Sequence, residues 1–64
     1  MKYELIIETE VCTAFSNFPH NREGFISAFE KLGNYITKDN FKSAQIISIR
    51  NDVHDIVFQY PSAK

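Results

Sequence analysis

Few side chains in these 64 residues could do chemistry: Cys12, His20, His54 and eight carboxylates. A nucleophilic cysteine needs a base or cation beside it to form the thiolate. Cys12 lies between Val11 and Thr13 and has neither in its local sequence, so a small, semi-buried residue is expected there. His54 and Asp55 are adjacent, but neighbours in a strand point to opposite faces and cannot form a dyad. The expectation is a turn histidine beside a cross-strand Arg50–Asp55 pair. His20 just precedes a helix and reads as an exposed loop residue. Glu4, Glu8 and Glu10 share one face of a strand, which spreads them too far apart for a cation and brings no other ligands. Cys12, His20 and His54 share no metal-ligand spacing, and there is no glycine-rich phosphate loop. No nucleophile, base and orienting group come together. The chain is therefore expected to be non-enzymatic, with no cofactor and no metal.

The elements that position these residues belong to one domain, expected over residues 1–60, with a disordered tail at 61–64. A chain this short buries a modest share of its surface. Small scaffolds usually need a disulfide, a metal or a partner chain. A single cysteine forms no intramolecular disulfide, so tight packing or self-association, such as a homodimer, is the expected stabiliser. The net charge of -1 gives no overall pull toward nucleic acid or an anionic membrane. Leu5-Ile6-Ile7 is too short for a signal peptide, and no stretch approaches a membrane span. A cytoplasmic location, in a bacterium or a host cell, is the expectation.

Residues 2–10 alternate, with Tyr3, Leu5 and Ile7 on one face and charged residues on the other, as in a half-buried strand. Residues 11–16 are a possible second strand and 17–20 a loop, since no Gly or Asn-Gly turn signals a tight hairpin. The spacing predicts a helix over about 22–38, capped by Asn21, with Glu23 at its positive end. Its apolar arc holds Phe25, Ile26, Ala28, Phe29, Leu32, Gly33, Tyr35 and Ile36, with Gly33 expected to let the helix approach the sheet. Residues 44–50 and 55–60 read as a hairpin. A four-residue loop, pairing Ile49 with Ile56 and Ile47 with Phe58, makes better pairs than a two-residue loop at Asn51-Asp52, which pairs Ile47 with Ile56. The result is an α+β fold: one helix on one face of a three- or four-stranded, mainly antiparallel sheet, β-α-β-β or β-β-α-β-β. Its expected core is Tyr3, Leu5, Ile7, Phe25, Phe29, Leu32, Ile36, Ile47, Ile49, Ile56 and Phe58.

One helix covers one face of a sheet. On the other face, alternation places Ile6, Ile46 and Val57, bordered by Glu4, Glu8, Ser48, Arg50 and Asp55. An apolar centre with a polar border is the make-up of an interface. On this reading Ile46 points to solvent, and Ile46→Lys leaves the fold intact. A second binding candidate is the loop 15–20, with Phe15 and Phe18 as anchors. These features suggest a protein-binding module that occupies a surface of a larger partner, as small phage or mobile-element inhibitors do. The alternative is a small regulatory nucleic-acid-binding protein. It is the weaker reading because the open face carries acids and the aromatics lie mostly on the helix side.

Lys2-Tyr3-Glu4-Leu5-Ile6-Ile7-Glu8, then Ala14, Phe15 and Pro19, then the helix to Ile36, resemble the N-terminal part of HicB-type antitoxins. The resemblance implies an antitoxin-like regulator. The chain departs from that pattern at His20, where the family has Gly, in the shorter segment before the helix, and in having no DNA-binding C-terminal part. No family is assigned on it.

Overall fold

The computed structural model describes residues 1–61; the expected tail beyond Pro61 lies outside the described residues. Four strands and one helix follow in the order β1 (Lys2–Thr9), β2 (Thr13–Pro19), α1 (Arg22–Ile36), β3 (Phe41–Arg50) and β4 (Val53–Tyr60). This is the β-β-α-β-β form of the expected α+β fold. The strands form one antiparallel sheet in the order β2-β1-β3-β4. The helix carries the chain from β2, across β1, to β3, and packs on those three strands. No helix among the described residues is long and apolar enough to cross a membrane.

Both hairpins turn without glycine. Between β1 and β2 the buried Thr9 organises the loop: its Oγ1 accepts from the Val11 and Cys12 amides and donates to the Cys12 carbonyl. Side-chain to backbone bonds of this kind replace a turn sequence. Cys12 is thereby exposed, not semi-buried. Between β3 and β4 the turn is Asn51-Asp52, with φ of 47° and 68°. Asn and Asp tolerate this left-handed region, and two such residues in succession are what a two-residue hairpin requires. The two-residue register is therefore adopted: Arg50 faces Val53 and Ile47 faces Ile56. The four-residue loop, with its Arg50–Asp55 pair, is not formed. A bulge between Ile46 and Ile47 then brings Ile46 opposite Phe58 and leaves Val57 as the extra residue.

The helix is capped as expected, with the Asn21 Oδ1 accepting from the Gly24 amide at 2.7 Å. It buries Gly24, Ala28 and Leu32 against the sheet, a row spaced four residues apart on one helix face. Phe25, Phe29 and Tyr35 flank this row, while Ile26 and Ile36 are exposed. The helix ends at Ile36, two residues short of the expected boundary. The close approach is at Gly24, where an added Cβ would lie 1.9 Å from the Pro19 carbonyl oxygen. Gly33 is exposed and faces open space, so its expected role falls to Gly24.

The largest correction concerns β3. Leu5 faces Ile46, Ile7 faces Ala44 and Tyr3 faces Ser48. All of these lie on the helix side, and the core is Leu5, Ile7, Ala28, Leu32, Ala44 and Ile46. Ile46 has 0% exposure. It is the centre of the core, not of the open face, and Ile46→Lys would put a charge there. Ile47, Ile49 and Ile56, expected in the core, lie on the open side. On the helix side Ala44 and Ser48 stand on either side of Ile46, and Ser48 is hydrogen-bonded to His20.

Candidate functional site

The open face is fixed by the register. Its central row is Phe15, Ile6 and Gln45 across β2, β1 and β3. The next row is Asn17, Glu4, Ile47 and Ile56, and the one beyond it is Pro19, Lys2, Ile49 and His54. On the other side of the central row stand Thr13, Glu8 and Ser43. Neighbouring rows on one face are within reach of long side chains. Phe15, Ile6, Ile47 and Ile56 thus form a stepped apolar band across all four strands, extended by Ile49. Phe15 is 64% exposed and Ile56 56% exposed. Ile6, Ile47 and Ile49 are half-buried by their strand neighbours.

Of the residues expected to bind a partner, Ile6, Glu4, Glu8 and Phe15 share this face. Val57 is exposed at the bulge, beside the band. Ile46 and Phe18 are not on it: Ile46 is core, and Phe18, in β2 and not in a loop, packs against the core beside Tyr3. The segment 15–20 is mostly strand, so Phe15 and Phe18 are separated by an odd step and point to opposite faces. Ile47, Ile49 and Ile56 were missed as surface residues. The signal that could have found them is the Ala44-x-Ile46-x-Ser48 pattern, which is small enough to lie under a helix.

Two of these groups differ in their hydrogen bonding. The Glu8 carboxylate accepts from the Ser43 hydroxyl at 3.3 Å. Glu4, half-buried beside Ile47 in the middle of β1, takes part in no side-chain hydrogen bond among the described residues.

One pairing on the helix side has the form of a catalytic unit. The His20 Nε2 and the Ser48 Oγ are 2.8 Å apart, the reach of a serine and its base. The His20 ring stacks on Tyr3 with centroids 4.4 Å apart. His20 is therefore half-buried and not an exposed loop residue. Ser48, however, is only 7% exposed, and among the described residues no carboxylate is hydrogen-bonded to His20. A surface depression lined by Met1, Arg50, Asn51 and Val53 lies elsewhere. The pair ties the end of β2 to β3, as the Lys31–Ser16 bond at 2.6 Å ties α1 to β2. His54 is exposed on β4 opposite Ile49, not in the turn. No three His, Cys, Asp or Glu side chains among the described residues are grouped to hold a metal.

No family model matches the chain, and no curated protein or solved structure matches it.

Proposed function

We propose that this chain is a non-enzymatic protein-binding module that docks through the open face of its sheet and acts by covering a surface of a larger partner. The observation that carries the reading is the band of Phe15, Ile6, Ile47 and Ile56 on the face opposite the helix, with Phe15 and Ile56 exposed and Ile6 and Ile47 half-buried. An apolar centre bordered by Glu4, Glu8, Lys2, Asn17 and His54 has the composition of an interface core and rim. Small size supports the same reading. Among the described residues, two of the six buried apolar residues are alanines, so covering this band adds apolar burial that the isolated domain lacks. The face has one aromatic, Phe15, and two acids against one lysine. That favours a protein partner over the stacked, cationic surface that single-stranded nucleic acid requires.

The test is capture from the native cell with the tagged protein, beside the double variant Ile47→Lys with Ile56→Lys. The variant is expected to keep the circular dichroism spectrum of the parent and to lose the captured protein. Undiminished capture by a folded double variant would refute the reading.

A further inference from the structure

β4 is the bare edge of the sheet. Of its eight residues, Val53–Tyr60, seven are exposed and Phe58 is half-buried. The helix packs on β2, β1 and β3 and meets β4 through the Phe29–Phe58 ring contact, with centroids 4.7 Å apart. The strand carries one formal charge, Asp55, and no lysine, arginine or proline, the residues by which natural edges repel another strand. The opposite edge, β2, is guarded. It lies under α1, its Ser16 is held by Lys31 at 2.6 Å, and its Pro19 has no N–H to offer a ladder.

The register with β3 makes β4 symmetric. Val53, Asp55, Phe58 and Tyr60 stand on the helix side, opposite Arg50, Ser48, Ile46 and Ala44, while His54 and Gln59 stand on the open side, opposite Ile49 and Gln45. At the bulge, Ile56 and Val57 together oppose Ile47 on the open side. From either end the strand reads helix, open, helix, open, open, helix, open, helix. An unbroken alternation of eight residues reads differently from its two ends. The central bulge makes the two readings the same, so β4 matches its own antiparallel copy along its full length.

We infer that a second copy of this chain occupies this edge, β4 against β4, about a two-fold axis between Ile56 and Val57. Val53 of one copy then faces Tyr60 of the other, His54 faces Gln59, Asp55 faces Phe58 and Ile56 faces Val57. Every pair shares a face, and no like charges are opposed. Backbone N–H and C=O groups alternate between the two edges of a strand in step with its faces, so matched faces also match donors to acceptors. A bulge ordinarily spoils an edge, but here the same bulge stands in both strands. A shift of one or two residues sets open-side residues against helix-side ones. The ladder ends where each strand ends, at Pro61 and at the Asn51-Asp52 turn. The product is one eight-stranded sheet with both helices on the same side and β2 at each outer edge, so the assembly closes at two copies. It leaves Ile6 and Ile47 of each copy uncovered, so it does not depend on what the open face binds.

Sedimentation equilibrium of the full chain, with circular dichroism as the check on folding, tests the pairing. The parent is expected to be a dimer. The double variant His54→Lys with Gln59→Lys opposes like charges twice across the two-fold axis, and so does His54→Glu with Gln59→Glu. Each alone should weaken self-association about tenfold. Mixed in equal amounts, the two variants oppose unlike charges and should recover the dimer. Ile47→Lys, on the open side of β3, should leave the dimer intact, so lost partner capture in that variant reports on the open face alone. A parent that sediments as a monomer overturns the inference. So does a dimer that either charge variant leaves unchanged, or one that Ile47→Lys dissociates, since its interface is then elsewhere. Two variants that dissociate singly and stay monomeric when mixed would overturn the register and the inference with it.

Discussion

The helix side of β3 presents Ala44, Ile46 and Ser48, and its open side presents Gln45, Ile47 and Ile49. By count of large aliphatics the open side is the richer. The buried side is nevertheless the one with two small residues: Ala44 and Ile46 join Leu5, Ile7, Ala28 and Leu32 in the core, and Ser48 is hydrogen-bonded to His20. Interdigitation, not bulk, fills the layer. The aliphatic residues left on the far side are surplus to this fold. The contrast teaches that the more hydrophobic face of a strand is not always the one its own chain covers.

The largest effect expected from breaking this contrast is on the helix side. Ile46→Lys should destabilise the domain by about 3–5 kcal/mol, since an unpaired charge would sit at a fully buried site. Urea denaturation followed by circular dichroism measures it. Leu32→Ala, which empties part of the same core, should cost about 2–5 kcal/mol in the same assay. The two glycines sharpen the geometry. Gly24→Ala should destabilise by about 1–3 kcal/mol, because its Cβ has no room beside the Pro19 backbone. Gly33→Ala should stabilise by up to about 1 kcal/mol, since it adds helix propensity in open space. A thermal melt that ranked the two glycine variants the other way would show that the helix sits differently on the sheet. Smallest is Ser48→Ala, which removes the His20 bond and should cost about 1 kcal/mol.

Much of the architecture was legible in the sequence. Alternation in β1 placed Tyr3, Leu5 and Ile7 correctly, because charged residues on the opposite positions leave one choice of face. Asn21 and the spacing of Phe25, Phe29 and Leu32 set the helix. The phase of β3 was not legible from bulk alone. Ile46 and Ile47 are adjacent, so each face has a large aliphatic residue, and only Ala44 and Ser48 mark which face lies under α1. The β3–β4 register was misread for a related reason. Pair preferences favoured the longer loop, while the positive φ that Asn51 and Asp52 accept decided for the shorter one. The candidate site followed the same pattern: Glu4, Ile6, Glu8 and Phe15 were legible through β1 and its partner, and Ile47, Ile49 and Ile56 were hidden by the inverted phase. Ser48 and His20, 28 residues apart, meet only once the sheet exists.

The most direct test of the account sets Ile47→Lys beside the parent protein, with denaturation midpoint and partner capture measured on the same preparations. The account predicts a midpoint close to that of the parent, because Ile47 lies on the uncovered face, together with lost capture. A midpoint lowered as far as that of Ile46→Lys, or capture equal to that of the parent, would contradict it.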